Sequence, residues 1–121
     1  MKQHIITLDN KEFETDCIGC TLAKHEIEPL GGYVAETKHF MVTQDTEIPI
    51  IGFMILNSIR HIRSLADFSP DEQKDFIDLA VRTRVAMRNI LDIDQVTLVQ
   101  EEKTSNSHFH LWFFPWYPWM K

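Results

Sequence analysis

A chain of 121 residues with 44% hydrophobic and 11% aromatic content is long enough to bury one core and too short for two, so a single domain over 1–121 is expected. A formal net charge of −6 argues against a primary role on nucleic acid or an anionic membrane, while leaving room for a local nucleotide site. No apolar run approaches a membrane span, and residues 1–11 lack the apolar core and small-residue cleavage site of a signal peptide, which gives a cytoplasmic expectation. In that compartment two cysteines three apart, Cys17 and Cys20, read as a metal half-site or a redox pair more readily than as a structural disulfide.

In chain order, the pattern predicts a short strand over 5–8 and a short helix over 20–27 that stops before Pro29 and the Gly31-Gly32 turn. A hairpin follows, with strands over 33–36 and 39–43 joined at Thr37-Lys38, and then a central strand over the apolar run 52–56. Ser69-Pro70-Asp71-Glu72 combines an N-cap, a proline at the first helical position and a glutamate placed for a capping box. Behind it Phe76, Leu79, Ala80, Thr83, Met87, Ile90 and Leu91 recur at helical spacing, so a long helix should end near Leu91. A strand over 96–100, a polar loop over 101–107 and a last strand over 108–114, stopped by Pro115 and Pro118, complete the chain. The order predicts an α+β domain, an antiparallel sheet packed against one long helix and a short N-terminal helix.

In the last strand successive side chains point to opposite faces, which puts His108, His110 and Trp112 on one face and Phe109, Leu111 and Phe113 on the other. Both faces are bulky, as in an interior strand, so the histidines should be held by packing. Cys17 and Cys20 at the mouth of a short helix could share one ion, and a tetrahedral zinc site would need two further ligands, for which His61 and His108 are candidates. From spacing alone, zinc, free buried thiols and a redox pair all stay open, and His61 reads as a surface histidine between Arg60 and Arg63. His4, His25 and His39 are explained by exposed loop or edge positions. A neutral imidazole can attack phosphorus when its other nitrogen is fixed by a hydrogen bond, a task that suits His110. The loop Thr104-Ser105-Asn106-Ser107 offers hydroxyls and amides for phosphate oxygens.

Ser105 followed by His108-Phe109-His110-Leu111-Trp112-Phe113-Phe114 resembles the HxHxHxx motif of the histidine triad (HIT) proteins, which are nucleotide hydrolases and transferases. Upstream, CIGC resembles that family's N-terminal CxxC, YVAETKHFMVTQD its first hairpin, and GFMILNSIRHIRSLADFSPDE its glycine strand, RH element and capped helix. The resemblance spans about residues 17–115. It implies a structural zinc on Cys17, Cys20, His61 and His108, and His110 as nucleophile. Ser105 would contact phosphate, Asp45 the ribose hydroxyls, and Ile18 and Leu22 the base. It further implies a homodimer with joined sheets, while the net charge of −6 speaks against a nucleic-acid or membrane partner. The substrates implied are dinucleoside polyphosphates such as diadenosine tetraphosphate, or nucleoside phosphoramidates, handled through a nucleotidyl-histidine intermediate. Trp112 departs from the pattern at the third histidine, where an indole N–H can bind substrate by donating a hydrogen bond to phosphate but cannot exchange a proton near neutral pH. Phe53 and Thr104 also replace a histidine and a glutamine that the family often has. These departures bear on rate and leaving group, and they sustain an alternative reading as a nucleotide-binding or sensing module with structural zinc.

Overall fold

Polar, turn-rich segments cut the chain into short alternating stretches, and each folds as the nearest hydrophobic pattern allows. The computed structural model describes residues 3–120. Strands β1 (Gln3–Ile6) and β2 (Glu12–Thr15) form a separate antiparallel hairpin, followed by α1 (Ile18–Ala23). Strands β3 (Tyr33–Glu36), β4 (Phe40–Gln44) and β5 (Met54–Ser58) precede the long helix α2 (Pro70–Ile90), and β6 (Gln95–Gln100) and β7 (His110–Trp116) close the chain. The main sheet has five strands in the order β3-β4-β5-β7-β6, and every pair is antiparallel. This is the α+β arrangement expected from the pattern.

Pleating sorts the sheet residues into two layers. Phe40, Val42, Leu56, Leu111 and Phe113 join Leu79 and Met87 of α2, with Phe68 and Phe109, in the main core. The opposite face carries Met41, which packs with Leu22 and Ile27 and is flanked by Ile18 and Tyr33. The long helix begins at the capping box read from the sequence. Ser69 accepts from the Glu72 amide at 3.2 Å and the Glu72 carboxylate accepts from the Ser69 amide at 2.8 Å. The same carboxylate is buried and takes a forked pair from Arg60, at 3.1 Å from Nε and 2.9 Å from Nη2. The Arg60 guanidinium, with the helix-start amide, holds the Glu72 acid down at about 2. One ion pair therefore ties the helix start to the residue preceding His61.

Several elements depart from expectation: β1 is displaced two residues back from 5–8, β5 two residues forward from 52–56, and α1 ends at Ala23, short of residue 27. Helix α1 starts at Ile18, earlier than residue 20, because the Cys17 sulfur caps it by accepting from the Cys20 amide at 3.2 Å. Strand β2, unforeseen, pairs Phe13 with Ile5. The last strand begins at His110, with His108 in the segment just before it. It runs on through Pro115, which pairs with Val96. A proline is tolerated there because the β5 ladder ends at the Met54–Phe113 pair, so beyond it β7 borders only β6.

Candidate functional site

The segment before β7 is fixed at both faces. The Phe109 amide donates to the Ile62 carbonyl at 2.7 Å and the Ser58 amide donates to the Phe109 carbonyl at 3.3 Å, which brings His108 beside His61. The N-terminal turn of α1 delivers Cys17 and Cys20 to the same point. Nδ1 of His61 lies 3.4 Å from Cys17 Sγ and 3.1 Å from Cys20 Sγ, while Nδ1 of His108 lies 3.4 Å from each sulfur. The two imidazole nitrogens are 3.2 Å apart. A tetrahedral ion with bonds of about 2.3 Å to sulfur and 2.0–2.1 Å to nitrogen needs ligand separations of about 3.3–3.8 Å, so the cluster is close to the required size.

Protonation supports the same reading. His108 Nε2 donates to the Ser58 carbonyl at 2.6 Å, and since a carbonyl only accepts, the neutral ring presents the lone pair of Nδ1 to the cluster. Burial pushes the His108 ring below the usual histidine range, which keeps that lone pair free of a proton. With no cation present, burial and the neighbouring Cys17 thiol push Cys20 up to about 11. Two soft donors held together with two imidazole nitrogens, that of His108 oriented from behind by the Ser58 carbonyl, make a Cys2His2 site able to hold a metal ion.

Gly19, between the cysteines, is a residue that sequence reasoning missed. A Cβ built on it would meet the His108 ring at 2.4 Å from Cγ and 2.5 Å from Cδ2, so α1 lies directly on the imidazole. The buried Asn57 reinforces this contact by donating to the Gly19 carbonyl at 3.1 Å. The expected helix began at residue 20 and so gave no signal at Gly19; in the structure it lies within α1, where a glycine costs up to about 1 kcal/mol against alanine and calls for a packing reason. Gly19→Ala should therefore reverse the usual sign. It is expected to destabilise by roughly 1–3 kcal/mol through overpacking and to loosen the metal site. Thermal melting and metal content after dialysis check this; a variant as stable as the parent with full metal content would refute the contact.

Beside the cluster opens a cleft of about 260 Å³. His110 and Trp112 of β7 line it opposite their cross-strand partners Asn57 and Ile55. Ile18, Leu22 and Asp45 line it as well, so these sequence-predicted residues come together around one space. Asp45 is buried, and its Oδ2 accepts from the amides of Glu47 at 3.0 Å and Ile48 at 2.6 Å, closing the turn after β4. Ser105 does not join them: it sits on an exposed turn, and Thr104, Asn106 and Ser107 face the cleft instead. Arg63, another residue missed, clamps this loop by donating to the carbonyls of Thr104 at 2.8 Å and Glu102 at 2.9 Å.

The His110 ring is oriented by its own backbone. Nδ1 donates to the His108 carbonyl at 2.8 Å, so the neutral ring carries its proton on Nδ1 and a lone pair on Nε2. That Nε2 is buried and has no hydrogen-bond partner among the described residues. Trp112 lies against the ring with centroids 4.6 Å apart. The acids Asp16, Asp45 and Glu47 line the cleft, with no lysine or arginine among the described lining residues. Burial, followed by the nearby Asp45, raises Glu47 above the usual carboxylate range.

No protein-family profile matches this sequence, and no curated protein does. Solved structures match over most of the chain. A HIT family protein from Bacillus subtilis superimposes with a TM-score of 0.73 at 18% identity, covering 86% of this chain and 75% of that one. A hypothetical histidine triad nucleotide-binding protein from Sulfolobus tokodaii gives 0.71 at 15% identity, covering 84% and 70%. A zinc-bound histidine triad family protein from Mycobacterium smegmatis gives 0.67 at 18% identity, covering 85% and 76%. At such identities the likeness establishes architecture: the chain has the histidine triad fold. No helix among the described residues is long and apolar enough to cross a membrane.

Proposed function

We propose that this protein is a zinc-stabilised nucleotide hydrolase or transferase that cleaves nucleoside phosphoesters or phosphoramidates through a covalent intermediate on His110. The observation that carries the reading is the tautomer of His110, whose Nδ1 proton is committed to a backbone carbonyl while the buried Nε2 lone pair has no partner among the described residues. In the first step Nε2 attacks the α-phosphorus. The bond from phosphorus to the leaving group breaks, its electron pair departs with that group, and the group takes a proton from solvent. Water then attacks phosphorus, the phosphorus–Nε2 bond breaks, its pair returns to the ring, and nucleoside monophosphate is released with loss of the water proton.

The other residues position the substrate. Asp45 is assigned to the ribose hydroxyls, and Ile18 and Leu22 to the base. The phosphate is assigned to the 104–107 loop, where Ser107 faces the cleft and Ser105, the candidate from the resemblance, stands on the exposed side. The Cys2His2 donor set suits zinc. Four protein ligands would leave that ion no open position, so its contribution would be structural. The zinc-bound relative of the same fold supports this choice of ion.

The test is to mix enzyme with a labelled adenylyl donor, quench in base, where a phosphohistidine survives, and look for label on the protein. Wild type should be labelled and His110→Ala should not. Asp45→Asn, which keeps the turn but removes the charge, should lose roughly 1.5–3 kcal/mol of binding to ribonucleotides while sparing deoxyribonucleotides. An unlabelled wild type that hydrolyses nothing yet binds nucleotide would replace the enzyme with a nucleotide-sensing module, the outcome that Trp112 against His110 would favour.

A further inference from the structure

Alternation along β7 puts His110, Trp112, Phe114 and Trp116 on one face of the sheet, the face that carries the cleft. Trp112 contacts His110, and Phe114 contacts Trp116 with centroids 5.2 Å apart, while Phe53 meets Phe114 edge-on at 5.3 Å. Trp116 is 41% exposed yet held in place, since its Nε1 donates to Thr97 Oγ1 at 2.8 Å. A row of rings that starts at the reactive imidazole thus ends as a fixed aromatic surface in solvent.

We propose that Trp112, Phe114 and Trp116 form the leaving-group subsite, and that it accepts an aromatic group carrying little negative charge. The inference rests on the nucleotidyl-transfer reading of His110. Asp45 lies at the end of β4 and Ile18 and Leu22 on α1, so the nucleoside half belongs on the β4 side of the nucleophile. Strand β7 stands two strand spacings from β4, about 10 Å away, leaving the β7 and β6 side for the other half of the substrate. From His110 to Trp116 the strand extends about 20 Å, room for a linker and a ring beyond the scissile bond. Charge selects the class. The described residues lining the cleft include no lysine or arginine, so nothing there offsets the charge of a polyphosphate chain, and stacking is what the aromatic row offers.

The experiment uses two adenosine 5′-phosphoramidates that differ only in the amine, one arylethyl and one alkyl of matched length. Titrated calorimetrically into the His110→Ala protein, the aryl compound should bind roughly tenfold tighter, about the effect of one stacked ring. Trp116→Ala in the same background should erase that preference and Trp116→Phe should keep most of it. Equal affinities for the two compounds, or a preference untouched by Trp116→Ala, would overturn the subsite. Diadenosine tetraphosphate without divalent cations should bind more weakly than the aryl compound; tighter binding would overturn the charge selection. Turnover by the wild type separates the two ideas. A preserved aryl preference in binding with no cleavage retains the subsite and removes the enzyme, whereas cleavage of both compounds with equal kcat/KM and equal affinity retains the enzyme and removes the subsite.

Discussion

Removing the metal from the purified protein should lower its melting temperature by at least about 10 °C. The Cys2His2 cluster joins α1, the segment after β5 and the segment before β7, so an ion there ties together three stretches distant in sequence. Structural zinc binds small domains with roughly 10–16 kcal/mol of apparent free energy, and each kcal/mol moves the melting point of a domain this size by several degrees. The affinity should also rise with pH. Cys20 without an ion sits at about 11, so at neutral pH binding must expel its proton, and each expelled proton makes affinity tenfold stronger per pH unit. His108, already held below the usual histidine range by burial, adds to this slope only at acid pH. Calorimetric melting before and after chelation under reducing conditions, and competition with a chromophoric chelator at pH 6.5, 7.0 and 7.5, measure both effects. An unchanged melting point in verified metal-free protein, or a flat pH response, would show that the cluster is not a structural site.

Trp112→His should speed turnover of substrates with poor leaving groups by up to roughly 10²-fold. An indole can donate one hydrogen bond but cannot deliver a proton, and proton transfer to a departing group from a positioned side chain contributes about 10²–10⁴ in rate. The substitution should leave His110 positioned, because its Nδ1 bond to the His108 carbonyl does not involve residue 112. Good leaving groups, which need no such help, should show little gain. Single-turnover rates across a series of leaving groups give the slope directly: wild type should depend steeply on leaving-group basicity and the variant less so. Parallel slopes for the two proteins would mean that position 112 plays no part in departure of the leaving group.

Features carried by local pattern were readable from the sequence. The box at Ser69 and Glu72, the apolar period behind it and the alternation of the last strand each depend on neighbours within a few residues; α2 formed where expected, while the last strand runs over His110–Trp116 and leaves His108 outside it. The start of α1 was not readable, because a thiol cap is set by a sulfur whose position comes from the metal cluster. Pro115 was expected to end the last strand; whether it must depends on how far β5 extends beside it, a property of another segment. His61 looked like a surface residue from its flanking arginines, and only the meeting of three chain segments gives it a partner. Gly19 and Asn57 belong to the same class, with roles that exist only once α1 lies on His108. Ser105 shows the limit of motif spacing, since one turn of the loop decides which hydroxyl faces inward.

His108 acts through two chemically separate parts. Its ring faces the metal cluster, while its carbonyl oxygen, a main-chain atom, receives the Nδ1 proton of His110. Every amino acid carries that carbonyl, so mutation at position 108 can remove a donor from the Cys2His2 cluster but cannot delete the acceptor that sets the tautomer of His110. Over evolutionary drift the Cys2His2 cluster is thus open to loss by single substitutions, whereas the orientation of the His110 ring is inherited with the path of the backbone.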